Sequence, residues 1–488
     1  MVNMSNPGTG DDMVFRIHKA ANGAAARLGQ LTLPQKKPFE TPNFIGIASR
    51  GAIPHLTVDV LQKHTEMHGA YMALEDFIEK SIKRAGPAIY SAPENGHSRL
   101  HSYTALPSEV VTIMGARRYP AVVAPMGNGA KHLSIFTSTG FQSLELERFC
   151  NAILTLKPDL VIPMADLTFD TGTRSVKRLR RMLERTDEWV EGFFKALDPN
   201  DKLKPLGIHV FAPTLPAEYS LQWEYLNRLS EDHAHKLSGL AIYDADILVD
   251  LEAHAPLASL PRLSMDSPAS PHQILRQVQL GVDVFAIPFL NSASDGGTAL
   301  AFSFPPPPRE AGGVIPLGIN LWSKEYQVSV KPLMDGCSCY TCTKHHRAYI
   351  CHLLDAREML SWTLLQIHNH HVISEFFKGI RSAIADGTLD QKVTDFALVY
   401  DNELPYSTGE RPRARGYHFK SEAAQPKYND SPWKSFDGNP SDDQALAGEV
   451  AGLAVTGAAE VKADAPLAPE DAAAGLDEKG FAQVDEKL

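Results

Sequence analysis

The sequence predicts an α/β protein built on parallel strands, arranged either as a (β/α)8 barrel or as an open doubly wound sheet. Seven short runs rich in Val, Ile and Phe are apolar on both faces, as strands buried between helices are. Helix-period stretches alternate with them, which is the order of a β-α-β chain. The third observation is length: 488 residues allow a large core, as one barrel with additions or as about two or three domains. Periodicity does not separate the barrel from the open sheet. No G-x-G-x-x-G follows a strand and no G-x-x-x-x-G-K-[ST] occurs, so a nucleotide-binding version has no support.

In chain order, the N-terminus "MVNMSNPGTGDDMVF" is polar, with neither the basic nor the apolar region of a signal peptide. The strand candidates are Asn43–Ala48, Val110–Met114, Ala121–Ala124, Leu160–Met164, Gly207–Phe211, Gly239–Tyr243 and Val282–Pro288. Leu74, Phe77, Ile78 and Ile82 share one helix face, and Leu146, Phe149, Cys150, Ile153 and Leu154 form a core-facing stripe. That stripe makes Cys150 a buried small hydrophobe. The Pro-rich stretch Phe302–Pro316 can be neither helix nor central strand. These breaks divide the chain into a barrel-sized body at 1–316, a cysteine-bearing segment with the last helices at 317–400, and a polar tail at 401–488. The tail is expected to be disordered, because its Ala-, Asp-, Glu- and Gly-rich composition cannot bury enough apolar surface to offset ordering entropy.

Composition excludes little. Apolar residues make 43% and charged residues 22% of the chain, both ordinary for a globular protein. No apolar run approaches the roughly 18–20 residues that span a bilayer. The net charge of −11 is concentrated: from Ser441 onward eleven acidic residues face three lysines, a net of −8, leaving −3 for the first 440 residues. A near-neutral body does not exclude nucleic acid. Arg174, Lys177, Arg178, Arg181 and Arg185 cluster on one side of a predicted helix. Such a face is either solvated surface or a set of phosphate contacts. "RPRARGYHFK", 411–420, is a weaker basic segment.

Five cysteines, odd and few, argue against a disulfide scaffold and for a reducing compartment. Three of them, Cys337, Cys339 and Cys342, form C-x-C-x2-C in a Gly/Ser/Tyr turn that matches no helix or strand core. Thiolates this close favour Zn2+, which takes four N or S ligands. His345, His346, Cys351, His352, His368, His370 and His371 are the possible fourth donors. The sequence from Lys344 to about Ile384 reads as helix. Unbroken, it would carry His368 about 36 Å away at 1.5 Å per residue. A hairpin turning near Leu354–Arg357 goes out and comes back over equal lengths, which returns His368 to the cysteines ahead of His345 or His346. Leu360, Trp362, Leu364 and Ile367 would pack the hairpin, and His370 and His371 would lie on its surface or beside the ligands.

C-x-C-x2-C with a histidine 26 residues after its last cysteine, inside "RAYICHLLDAREMLSWTLLQIHN", resembles the zinc subdomain of the tRNA-guanine/queuine transglycosylases. "ETPNFIGIASRGAIPHLTVDVL" and "LPRLSMDSPASPHQILRQVQLGVDVF" are similar to that family's first strand and to the run into its catalytic strand, and the likeness covers about Phe15 to Ile384. The resemblance implies a TIM barrel with an inserted zinc subdomain holding one structural Zn2+. It also implies exchange of a tRNA wobble guanine for queuine or a precursor, by attack of an Asp carboxylate on the ribose C1′ of an extruded nucleotide.

The positions the resemblance assigns to chemistry have changed. Where the family reads G-V-D-x-F-D with the last Asp as nucleophile, this chain reads Gly281-Val282-Asp283-Val284-Phe285-Ala286, and a methyl group cannot attack C1′. The T-D-S-G-G-F-Q that carries the second Asp is replaced by Thr137-Ser138-Thr139-Gly140-Phe141-Gln142. The Gln of G-I-V-Q-G is missing from "GIHVFA", and G-G-L-A-x-G-E has become Ser238-Gly239-Leu240-Ala241-Ile242-Tyr243-Asp244. Only Asp166 lies near the family's base-reading Asp. What the resemblance implies is therefore a non-catalytic member that pairs as a heterodimer with a catalytic queuine tRNA-ribosyltransferase subunit and supports its action on tRNA. It also implies a cytoplasmic protein, with association at the mitochondrial outer membrane in animal members. The rival readings are an active base-exchange enzyme using Asp283, Asp166 or Asp295, and an unrelated zinc-stabilised interaction protein.

Overall fold

The computed structural model describes residues 13–412 except 21–24, 79–85, 95, 124–126, 138–139, 170–173, 200–202 and 309–312. Of the tail that the sequence starts at 401, residues 401–412 are described and held to the body, with Ser407 Oγ donating to the Gly296 carbonyl at 2.7 Å; residues 413–488, which include most of the 411–420 segment, and Ile82 and Ala124 lie outside the described residues. An antiparallel sheet opens the chain: β1 (Val14–Ala20), β2 (Arg27–Thr32) and β3 (Phe39–Thr41). Then β4 (Asn43–Ile47), α1 (Val58–His64), β5 (Gly69–Ala73), α2 (Arg99–Thr104) and β6 (Val111–Gly115) begin a parallel array. A hairpin, β7 (His132–Thr137) and β8 (Gly140–Glu145), interrupts it before α3 (Leu146–Leu156), β9 (Leu160–Val161) and α4 (Val176–Leu197). The array continues through β10 (His209–Thr214), α5 (Tyr219–Arg228), β11 (Leu237–Ile242), α6 (Ala255–Ala258), β12 (Arg262–Ser264), α7 (Pro271–Gln279) and β13 (Val284–Ala286).

The sheet closes. Eight parallel strands run β4-β5-β6-β9-β10-β11-β12-β13, and β13 pairs back onto β4 with Val284 opposite Asn43 and Ala286 opposite Ile45. Closure decides for the barrel over the open sheet. Every residue of β4, β5, β10 and β11 is buried, which explains the unbroken apolar runs. Inward-facing Ile45, Tyr71, Ile113, Phe211, Leu263 and Val284 fill the barrel, and Leu31 and Phe39 of the first sheet plug its N-terminal end. Between strands and helices, Phe149 of α3 meets Phe193 of α4 with ring centroids 6.2 Å apart. Fully buried aromatic side chains of this kind each contribute about 2–3 kcal/mol.

After the barrel come α8 (Pro288–Asp295), β14 (Thr298–Leu300), β15 (Gly318–Asn320), α9 (Tyr340–Lys344), α10 (Arg347–Asp355), α11 (Met359–Asp386) and α12 (Leu389–Val399). β14 and β15 pair antiparallel. They share an apolar cluster with the hairpin of α10 and α11 that includes Ala299, Leu321, Leu333, Ile350, Trp362 and Leu365. α11 carries Gly379 in its interior, normally a cost of about 1 kcal/mol. A Cβ there would lie 1.8 Å from the carbonyl oxygen of Phe304, so only glycine lets the Pro-rich loop pack onto the helix.

Several sequence expectations are corrected. Ala121–Val123 form no strand, while β5 and β12 supply the two barrel strands the apolar runs did not single out. Leu74–Asp76 form a short 3-10 turn rather than the start of an amphipathic helix, although Leu74, Phe77 and Ile78 are buried as expected. Leu154 is exposed, since its angle on α3 falls at the edge of the stripe, whereas Cys150 is buried. Leu360 is also exposed, while Trp362, Leu364 and Ile367 pack. His370 is not a surface group: it is fully buried near Phe44, with ring centroids 5.7 Å apart.

Candidate metal centre and barrel mouth

Gly336, with φ at +76°, turns the chain so that Cys337, Cys339 and Cys342 converge, the last on α9 behind Cys339 as its N-cap. Thr341 Oγ1 donates to the Leu364 carbonyl at 2.7 Å and ties α9 to α11. The hairpin turns at 356–358, and α11 brings His368 back. Its Nδ1 lies 3.7, 3.5 and 3.4 Å from the sulfurs of Cys337, Cys339 and Cys342, and the four donor atoms all fall within 4.8 Å of one another.

One imidazole nitrogen cannot satisfy three thiols, since it carries a single lone pair or a single proton. The arrangement instead matches donors around a common centre. Tetrahedral geometry with metal–sulfur near 2.3 Å and metal–nitrogen near 2.0 Å gives sulfur–nitrogen separations of about 3.5 Å. The other ring nitrogen fixes the tautomer: Nε2 lies 2.8 Å from the Leu300 carbonyl, which can only accept. The proton is therefore on Nε2, and Nδ1 presents to the sulfurs. Hydrogen bonds from Cys339 and Cys342, then His368 and His371, push the Cys337 thiol far below its usual range. Burial opposes protonation of His368, but the Cys337 and Cys342 sulfurs outweigh it and raise the imidazole to about 9. Cys337, Cys339, Cys342 and His368 could hold one metal ion, and three sulfurs with one nitrogen suit Zn2+. His345 and His346 lie outside the set, and the His346 ring caps α10 by accepting from Tyr349 N.

The barrel mouth, where TIM barrels place their chemistry, holds a cavity of about 30 Å³ lined by Tyr71, Arg117, Tyr119, Tyr243, Phe169 and Met265. That is room for a water or two. Tyr71 Oη donates to the Arg117 carbonyl at 2.5 Å. The Arg117 guanidinium bonds the Ser134 and Leu167 carbonyls and Asn128 Oδ1. Glu75, buried, accepts from Arg118 N and Nε at 2.7 and 3.0 Å and from Phe136 N at 2.7 Å, pinning β7 over the mouth. Burial raises the Glu75 carboxyl pKa against the pull of Arg118. The sequence reading missed this network, and the adjacent Arg117-Arg118 pair straight after an apolar strand was its one local signal.

A family model for queuine tRNA-ribosyltransferase matches residues 22–402. The chain belongs to the queuine tRNA-ribosyltransferase family. Curated relatives are similar over most of their length. One from Schizosaccharomyces pombe, named queuine tRNA-ribosyltransferase accessory subunit 2, is 33% identical over 426 residues, 86% of this chain and 91% of the relative. Proteins of the same name from Drosophila melanogaster and Culex quinquefasciatus are each 28% identical, over 78% and 77% of this chain and 91% and 89% of the relative.

Against that queuine tRNA-ribosyltransferase pattern, Ala286 sits fully buried at the C-terminal end of β13, where the resemblance places the nucleophile. The three rival carboxylates are all engaged. Asp283 precedes β13 at the opposite end of the barrel, held by Arg27 Nε and Nη2 at 2.9 and 2.6 Å and by Arg262 N at 2.8 Å. Asp166 is fully buried and accepts from Asn128 Nδ2 at 2.7 Å and Arg185 Nη1 at 3.0 Å, with Arg178 3.5 Å away. Asp295 lies 2.6 Å from His55 Nε2.

The basic set is divided by the same contacts. Arg178 and Arg185 turn inward to Asp166, and Arg174 Nε donates to Thr168 Oγ1 at 2.7 Å. Lys177 and Arg181 are exposed on the outer side of α4. Among the described residues no helix is long and apolar enough to cross a membrane.

Proposed function

We propose that this chain is the non-catalytic subunit of a heterodimeric queuine tRNA-ribosyltransferase, binding a catalytic subunit and helping to position tRNA while wobble guanine is exchanged for queuine. The observation that carries this reading is Ala286, buried at the end of β13 where a nucleophilic carboxylate would have to stand. The shared name of the relatives, accessory subunit 2, supports it. Without a carboxylate at that point no glycosyl–enzyme bond can form there. Cys337, Cys339, Cys342 and His368 hold one Zn2+ in this reading. Four protein donors leave no open position for substrate, so the ion organises the hairpin and takes no part in exchange. Lys177 and Arg181 meet tRNA phosphates, while Arg174, Arg178 and Arg185 shape the surface behind them.

The test is radiolabelled guanine exchange into tRNA by this chain alone, by a catalytic homologue alone and by the mixture. Activity confined to the mixture is expected, and exchange by the lone chain would overturn the reading. For the tRNA contacts, the salt dependence of tRNA binding by the mixture should flatten by about two in log–log slope for Lys177→Ala with Arg181→Ala.

A further inference from the structure

His368 and its neighbour Asn369 hold one short segment from two sides. His368 Nε2 donates to the Leu300 carbonyl at 2.8 Å, while Asn369 Oδ1 accepts from Leu300 N at 2.8 Å. Asn369 Nδ2 donates to the Thr298 carbonyl at 3.0 Å and to Ser294 Oγ at 2.9 Å. Asn369 is fully buried, so none of these groups can exchange its partner for water. The Leu300 carbonyl is the group that keeps the proton on Nε2 and Nδ1 directed at the three sulfurs. Its position depends on β14, which the Asn369 amide fastens to α11 beside the His368 bond itself.

We propose that Asn369 is a positioning residue for the metal centre. It does not touch the ion, but it holds Leu300 where its carbonyl orients His368, and so couples metal affinity to the α8–β14 segment. Outer groups that orient a ligating histidine typically carry 10–100-fold in metal affinity. Removing the amide strands the Leu300 N–H and the Thr298 carbonyl in a dry site, and β14 relaxes to satisfy them. Coupling is reciprocal, so occupancy of the metal site protects the 294–300 backbone in turn.

The inference rests on the proposed metal site, and the experiment separates the two. Zinc affinity is measured by competition with a chromogenic chelator for the full chain, Asn369→Ala, Ser294→Ala and Gln222→Ala. Gln222 is a matched control: a fully buried amide on α5 that grips Leu215 and Ala217 far along the chain from the metal. Expected are one zinc per parent chain, 10–100-fold weaker binding for Asn369→Ala, a smaller loss of a few-fold for Ser294→Ala, and unchanged affinity for Gln222→Ala. Should Asn369→Ala fail to fold, Ser294→Ala carries the test, together with hydrogen exchange of 294–300 in the parent, which should rise on chelation. Parent-like affinity in both the Asn369 and Ser294 variants, or an equal loss in Gln222→Ala, overturns the inference while leaving the metal site standing. A parent that holds no zinc overturns both.

Discussion

Arg27 and Asp283 close the N-terminal end of the barrel: the guanidinium spans both carboxylate oxygens at 2.9 and 2.6 Å, and both side chains are buried. Arg27 also reaches the carbonyls of Ala258 and Leu260. This fastens the first sheet to the loop before β12 and the start of β13. Asp283→Ala leaves a buried guanidinium without its counter-ion, and should cost about 3–5 kcal/mol. Urea unfolding would show it as a fall in midpoint at unchanged slope. A second substitution at this position separates structure from chemistry. If Asp283 were a nucleophile, Asp283→Asn would abolish exchange in a chain of parental stability, and that outcome would sink the structural assignment.

Cys339→Ser should lose zinc and partner binding together, because Cys339 is one of the four donors that could hold the ion and also caps α9. Metal analysis gives the first quantity and co-purification with a catalytic homologue the second. Partner binding that survives in metal-free protein would separate the clamp from the interface. Acid should act in the same direction as the substitution. An ion held there would displace protons from the thiols and from His368, which the sulfurs raise to about 9. Affinity therefore falls with pH, by up to about tenfold per unit for each proton displaced.

How much of this was legible in the sequence follows the range of the contacts. The three cysteines lie within six positions and the hairpin arms match in length, so the convergence of His368 on them could be worked out from spacing. The strong barrel strands could be seen because they are apolar on both faces. β12 could not, since it is three residues long and begins with Arg262, whose charge is covered only by the tertiary fold. β5, "GAYMA", is too small-residue-rich to stand out. Barrel closure has no local signature, and the resemblance supplied it. Asp166 read as a surviving base-reader because its partners Asn128, Arg178 and Arg185 are brought to it by folding alone. His370 looked superficial beside a metal ligand, but the helix turns it toward Phe44 and the barrel wall.

That burial predicts a pH effect. Among the described residues neither ring nitrogen of His370 has a hydrogen-bond partner, and burial lowers its pKa from 6.5 to about 4. The folded chain holds it neutral while the unfolded chain protonates it below about 6.5. The stability it permits is therefore complete above that pH and drains as pH falls toward 4. At pH 5.5 the loss is about 1.2 kcal/mol relative to pH 7. His370→Leu should flatten this part of the stability profile, measured by urea unfolding between pH 7.5 and 5.5 with zinc present throughout. A profile parallel to the parent's would show that His370 is not the titrating group.

Restoring the nucleophile should not restore the reaction. Ala286 is fully buried and opposite Ile45 on the neighbouring strand, so the carboxylate of Ala286→Asp would enter an apolar wall. The cavity at the mouth offers only about 30 Å³, lined by Tyr71, Tyr119 and Tyr243. Arg117, which lines it, is already bonded to Ser134, Leu167 and Asn128. A purine would have to displace that whole set, and the buried polar groups left behind would each cost about 1–3 kcal/mol. Ala286→Asp should therefore unfold at lower urea than the parent, by several kcal/mol from the unpaired charge, and should incorporate no labelled guanine into tRNA on its own. Mixed with a catalytic homologue, any variant chains that remain folded should still support exchange, since the proposed subunit role never used this position. Incorporation by the lone variant would mean that the mouth opens, and that only the carboxylate had been missing.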